Sequence, residues 1–137
     1  MPLPKKIMVC YDGGDGSQWA LKMATRHAKV FDAELYLVAS LEKGTDAEQP
    51  LIDHLESELA KAKEKLEKDG FACTTHLLVR GLTPGEDLVA YAKENKIDQI
   101  VIGIRRKSKV GKLIFGSTAQ YLILKTPCPV LTVNRSF

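Results

Sequence analysis

No stretch of the chain approaches the roughly 18 consecutive apolar residues that a membrane-spanning helix requires, so a membrane protein of that kind is excluded. Cysteine is sparse. Cys10, Cys73 and Cys128 form no CxxC and cannot all pair within one chain, which argues against a disulfide scaffold. Each lies in or beside an apolar run, where a free thiol behaves as a small hydrophobe, and a reducing compartment is the simpler expectation. The three histidines, His27, His54 and His76, share no ligand spacing with one another or with the cysteines, so no metal centre is expected. No signal-peptide core follows Met1; residues 1–6 pass directly into a short apolar run, and a cytoplasmic location is expected.

Charge of one sign is also lacking. The 20 Lys and Arg nearly balance 17 Asp and Glu, for a net charge of +3. The basicity is local. Arg105, Arg106, Lys107, Lys109 and Lys112 stand together without an acid, and the rest of the chain holds 15 basic against 17 acidic residues. Such a patch suits a small anion better than a long polyanion, so neither nucleic acid nor membrane is expected as a partner.

What is present is alternation. The 137 residues suit one domain, spanning 1–137, with no internal repeat or linker. Short, almost continuously apolar runs at 6–11, 34–39, 74–79, 98–103 and 130–133 read as buried strands. Between them lie helical patterns: 17–31 with Ser17 as N-cap, 50–68 stopped by Asp69-Gly70, 83–94, and a last helix opened by Gly116-Ser117 and closed by Thr126-Pro127. Thr83-Pro84-Gly85-Glu86 combines a capping box with proline at the first helical position. Residues 40–50 read as a mobile polar loop, and the charged face of the 51–68 helix as solvated. Trp19 and His27 are expected to pack or border the core. Strands alternating with helices, and needing cover on both faces, predict a three-layer, doubly wound parallel sheet of five strands.

Open sheets of this kind bind ligands beyond the carboxyl ends of their strands, where the winding reverses. Two segments suit that edge. One is Asp12 to Ser17; the other is Gly103 to Thr118. In the second, Gly116, Ser117 and Thr118 open a helix whose free amides and dipole favour an anion, behind a run of five cations. The alternative, a solvated basic loop with Ser117 as an ordinary cap, stands level on these features alone. A P-loop is excluded: beside Gly111-Lys112, Arg106 stands where its first glycine belongs and Leu113 where its hydroxyl belongs. Gly13-Gly14-Asp15-Gly16 lacks the spacing of a dinucleotide fingerprint.

The segment 103–118, GIRRKSKVGKLIFGST, resembles the nucleotide loop of the universal stress protein (UspA-type) family, G-x2-G-x9-G-[ST], at Gly103, Gly116 and Ser117. The opening Ile7 to Gly13, the turn 81–86 and the closing 127–133 fit the same family, so the resemblance covers essentially the whole chain. It implies strand order 3-2-1-4-5, an adenine nucleotide alpha hydrolase-like architecture, and a homodimer through the last strand, Val130 to Val133. It also implies ATP or AMP as ligand, with Mg2+ on a triphosphate. Carried over, Cys10, Tyr11 and Asp12 line the adenine and ribose side, with Val38 against the base. Ile102 and Gly103 meet the ribose and phosphates, and Gly116, Ser117 and Thr118 bind the phosphates. Asp12 is expected to face ligand and Asp15 to cap the turn.

Arg106 departs from the pattern by replacing the middle glycine. It either obstructs the phosphates or pairs with them. The implied function is a nucleotide-binding regulatory module of the stress response, with at most slow ATP hydrolysis and no dedicated catalytic residues. The alternative is a dimeric stress-response adaptor that binds no nucleotide because of Arg106. A nucleotidyl transferase fits poorly, since residues 12–17 supply no catalytic His or Lys.

Overall fold

Ile7, Met8 and Val9 have no exposed surface, which only a strand covered on both faces and flanked on both edges can achieve. They form the centre of β1 (Lys6–Cys10), the middle strand of a parallel sheet. The structure, a computed structural model, describes residues 3–104 and 116–134. Its other strands are β2 (Glu34–Ser40), β3 (Cys73–Leu78), β4 (Gln99–Gly103) and β5 (Val130–Val133). Their order is β3-β2-β1-β4-β5, all pairs parallel, as the sequence pattern and the family resemblance together predict. Among the described residues no helix is long and apolar enough to cross a membrane.

Right-handed crossovers set the layers. The chain moves outward from β1 through α1 (Asp15–Phe31), β2 and α2 (Gln49–Lys68) to β3, then returns through α3 (Pro84–Glu94) to β4 and through α4 (Ser117–Lys125) to β5. Reversing direction puts α1 and α2 on one face and α3 and α4 on the other. The side chains of β1 follow suit: Ile7 and Val9 join the α1–α2 core, Met8 the α3–α4 core.

Small residues govern how closely α1 approaches the sheet. Ala20, Ala24 and Ala28 recur every fourth residue and are its buried apolar stripe. Trp19, Met23 and Phe31 border that core half-buried, and His27 Nδ1 lies 3.1 Å from Gln99 Oε1. In α2 the stripe is Leu55, Leu59, Ala62 and Leu66. The helix ends where Gly70 takes φ +89°, a conformation that favours glycine. The capping box of α3 is present, Thr83 Oγ1 accepting the Glu86 N–H. The segment 40–50, expected as a mobile polar loop, holds a short helical turn. One 3-10 turn, Asp46–Glu48, leads directly into α2, with Pro50 in the first helical turn, where a missing N–H costs little.

β4 and α1 approach each other backbone to backbone at Gly103 and Gly16. A Cβ built on Gly103 would overlap the Gly16 carbonyl and lie 2.7 Å from the Gly16 Cα. The reverse does not hold: a Cβ on Gly16 would sit 3.6 Å from the Gly103 carbonyl carbon, an ordinary contact. Gly103 is therefore required by α1. Gly103→Ala should cost about 1–3 kcal/mol, as overpacking does, in urea unfolding. Gly16→Ala should stay within about 1 kcal/mol of wild type. Equal effects of the two substitutions would contradict this one-sided contact.

Candidate functional site

At the carboxyl ends of the strands a cleft of about 820 Å³ opens where the winding reverses between β1 and β4. Its near wall is the turn from β1 into α1. Asp12 Oδ1 accepts the Gly14 N–H at 2.8 Å, and Gly13 takes φ +88°. The Gly13 N–H donates to Ser17 Oγ at 3.1 Å. That hydroxyl lies 3.1 Å from Asp12 Oδ1 and 2.9 Å from the Gly14 carbonyl, and its single proton serves one of them at a time. Ser17 is thus not the N-cap expected of it. Gly14 is the N-cap, and buried Ser17 pins the turn from inside the first helical turn. Asp12, expected to face ligand, spends one carboxylate oxygen on the same turn.

The floor comes from the strand ends. Cys10, Val38, Ile102 and Gly103 line the cleft, although Val38 has no exposed surface and supports it from beneath. Tyr11 is 4% exposed, and its hydroxyl accepts from Gln18 Nε2 at 2.7 Å. Burial raises the Tyr11 pKa, with the Gln18 hydrogen bond opposing and the Glu58 and Asp12 charges adding to the rise. Burial likewise pushes the Cys10 thiol up to about 12, and the charge of Asp12 adds to it. Cys10 therefore stays protonated at neutral pH and is no nucleophile.

The far walls contain residues that the sequence did not single out. Leu51, His54, Leu55 and Glu58 of α2 overhang the cleft, and Pro84 and Leu88 of α3 close its other side. Glu58 corrects the expectation of a wholly solvated charged face: its side chain is 23% exposed, and its carboxylate lies over Gly13, where an added Cβ would meet Oε2 at 2.7 Å. A signal was available. A helix following a parallel strand starts at the carboxyl edge, so its first turns project over the site.

Beside the cleft, Asp87 of α3 is fully buried. It accepts from Arg80 Nε at 2.6 Å and from Ser40 Oγ at 3.4 Å. The pair satisfies a charge that would otherwise be costly to bury, and it fastens the end of β2 and the loop after β3 to α3.

Of the predicted site residues, Cys10, Tyr11, Asp12, Val38, Ile102, Gly103 and Thr118 line this one cleft. Gly116 and Ser117 are exposed at the start of α4, outside the lining. Gly116 is the N-cap there, without a side-chain cap, so Ser117 is not an ordinary capping residue. The first amides of α4 consequently lack that side-chain partner. Arg106 and the basic run lie outside the described residues. Among the described lining residues the Asp, Glu, Lys and Arg side chains are all acidic: Asp12, Asp15 and Glu58.

Fold and cleft together define a doubly wound α/β protein with a ligand-sized pocket at its switch point. The sequence profile of the universal stress protein family matches residues 4–134, and the chain belongs to that family. It is 35% identical to Universal stress protein MJ0531 of Methanocaldococcus jannaschii, over 97% of this chain and 84% of that protein. A universal stress protein from Archaeoglobus fulgidus superposes with TM-score 0.82 at 35% identity, covering 96% of this chain and 98% of that one. Another structure of a universal stress protein from that organism, in complex with dAMP, superposes with TM-score 0.75 at 29% identity over the same shares.

The protonated state of Cys10 has a direct consequence. At pH 8 its alkylation by iodoacetamide should be at least about tenfold slower than that of free cysteine, and should recover in urea. Mass spectrometry of the peptide containing Cys10 measures both rates; labelling at the free-thiol rate would place Cys10 in a different environment.

Proposed function

We propose that this protein is a cytoplasmic regulatory module of the stress response that holds an adenine nucleotide, ATP or AMP, in the cleft between the β1–α1 turn and the end of β4. The observation that carries the proposal is the convergence of Cys10, Tyr11, Asp12, Ile102, Gly103 and Thr118 on one cavity. An apolar floor and polar rim of this size suit a nucleoside, and the start of α4, whose N-cap Gly116 brings no side-chain cap, turns its first amides toward a phosphate in this reading. The dAMP bound by the Archaeoglobus fulgidus relative supports the same ligand class.

In this reading Cys10, Tyr11, Asp12 and Val38 surround the base and sugar, and Gly116, Ser117 and Thr118 receive the phosphates. Arg106 and its basic neighbours supply the positive charge that the acidic lining lacks. Magnesium arrives with a triphosphate, and Asp12 is the carboxylate nearest to it in role. Among the described residues no group of three His, Cys, Asp or Glu is arranged to hold a metal, so such an ion would lean mainly on phosphate and water. Hydrolysis is slow at most in this reading, because the hydroxyl–carboxylate contact of the cleft, Ser17 to Asp12, is engaged in holding the β1–α1 turn.

The acidic lining also favours a second reading, in which the protein is a dimeric adaptor without nucleotide and Arg106 closes the site. Calorimetric titration with ATP and AMP, with and without magnesium, separates the two. Saturable micromolar binding is expected; silence up to millimolar ligand would overturn the nucleotide reading. Arg106→Gly should weaken AMP binding where the guanidinium pairs with phosphate, and create or tighten it where the arginine obstructs.

A homodimer through β5 completes the proposal. The carbonyls of Pro129 and Val133 accept from the amides of Ile100 and Ile104, so the odd-numbered residues of β5 face β4. The amides of Val130 and Thr132 then point to the free edge of the sheet. Thr132→Pro removes one edge donor without touching the β4 ladder. Sedimentation should show a dimer for wild type and a monomer for Thr132→Pro; an unchanged dimer would move the interface elsewhere.

A further inference from the structure

Among the described residues Asp87 is the charged side chain that the fold buries completely. Its two carboxylate oxygens have different partners. Oδ1 accepts from Arg80 Nε at 2.6 Å, and Oδ2 accepts from Ser40 Oγ at 3.4 Å. Arg80 Nη2 also donates to the Asp87 carbonyl at 3.4 Å, and Nη1 reaches Glu94 at 2.9 Å. Arg80 thus answers the buried charge, and the serine hydroxyl satisfies the second oxygen. That second bond has a consequence in the cleft, because Ser40 lines it.

The position of Ser40 follows from the strand pattern. Alternation along β2 sends Tyr36 and Val38 to the α3–α4 face of the sheet, and Ser40 follows them. Cys10, the last residue of β1, pairs with Val38, so Ser40 stands two residues beyond that pairing, where the cleft opens. On this face the lining is otherwise mostly apolar, with Val38 and Ile102 from the strands and Leu88 from α3. Such a surface suits a heteroaromatic ring. A phosphate gains nothing from it and would meet the Asp87 charge behind the serine.

A serine hydroxyl has one proton to give and two lone pairs to receive one. Unconstrained, it rotates and meets a donor or an acceptor equally well. A carboxylate paired with a guanidinium only accepts, so the Ser40 proton points at Asp87 and the lone pairs are left for the cleft. Ser40 therefore meets a ligand as an acceptor.

We propose that Ser40, its proton held by Asp87, selects the base in the nucleotide cleft: it accepts a hydrogen bond from the exocyclic amino group of a 6-aminopurine and rejects a 6-oxopurine. The inference rests on the nucleotide reading and deepens it. Ser40 touches the base, and Asp87 is a positioning residue that acts through it. Against a 6-oxo group two acceptors would face each other with no proton between them, which leaves both unpaired in a desolvated site.

Calorimetric titration of the intact protein with AMP and with IMP reads the selection, since the two share ribose and phosphate and differ at the base. AMP is expected to bind at least about tenfold more tightly than IMP. Ser40→Ala should bring the two affinities within about threefold of each other, chiefly by weakening AMP. Asp87→Asn tests the direction of the proton. Arg80 Nε keeps the amide oxygen beside it, so the amide N–H2 group stands toward Ser40 and donates to Oγ. The serine proton then turns to the cleft, and the AMP-to-IMP ratio should fall at least about tenfold from its wild-type value. A loosened fold would weaken both nucleotides alike and leave that ratio unchanged. Where Asp87→Asn does not fold, Ser40→Ala carries the test. Equal wild-type affinities for AMP and IMP, or a ratio unmoved by Ser40→Ala, would overturn the assignment and leave the nucleotide reading standing. Binding of neither nucleotide would overturn that reading, and this inference with it.

Discussion

The contact between Gly103 and Gly16 is the constraint on which the site depends. Two backbones meet there without any side chain between them, at the end of β4 and in the first turn of α1. Hydrogen bonding of β1 to β4 sets the strands side by side, but only this approach brings the helix start against the neighbouring strand. The consequence is a shared wall between the two loops that diverge at the switch point. Glycine at 103 is therefore explained by helix packing, before any ligand is considered.

Around that contact the cleft is assembled from parts that each satisfy a local need. Ser17 and Asp12 close the β1–α1 turn by hydrogen bonds, so their polar atoms are occupied by backbone as well as open to the cavity. The Arg80–Asp87–Ser40 connection fixes the opposite rim. Tyr11 is held by Gln18, and the Cys10 thiol is kept neutral by its burial. The result is a cavity whose two rims are each tied by side-chain hydrogen bonds to the elements behind them.

Much of the architecture was legible because its signals are local. Thr83, Pro84 and Glu86 announce α3 through side-chain-to-backbone bonds within four residues, and Gly70 ends α2 through a backbone angle of its own. The five apolar runs mark the five strands, of which β1, β2 and β4 are buried as expected and the edge strands β3 and β5 are largely half-buried. Ser17 misled for an instructive reason: a serine before an apolar helix is the usual mark of an N-cap, yet here the turn tightens and places it inside the helix. Segment 40–50 misled similarly, since a polar composition does not reveal that a 3-10 turn continues into α2. Glu58 and His54 carry no mark of the cleft in their own spacing; the signal for them lies in α2 following a parallel strand and so beginning at the carboxyl edge.

By itself the sequence determined the alternation of strands and helices, the glycine stop of α2, the capping box of α3, and a family resemblance carried by glycines at fixed intervals. These follow from hydrogen bonds and periodicities that act within a few residues. Tertiary structure alone decided that Gly103 abuts Gly16, that α2 leans Glu58 over the β1–α1 turn, and that Asp87 of α3 meets Ser40 at the end of β2. Those arrangements join residues tens of positions apart, and their energies arise only when the sheet has brought the helices together.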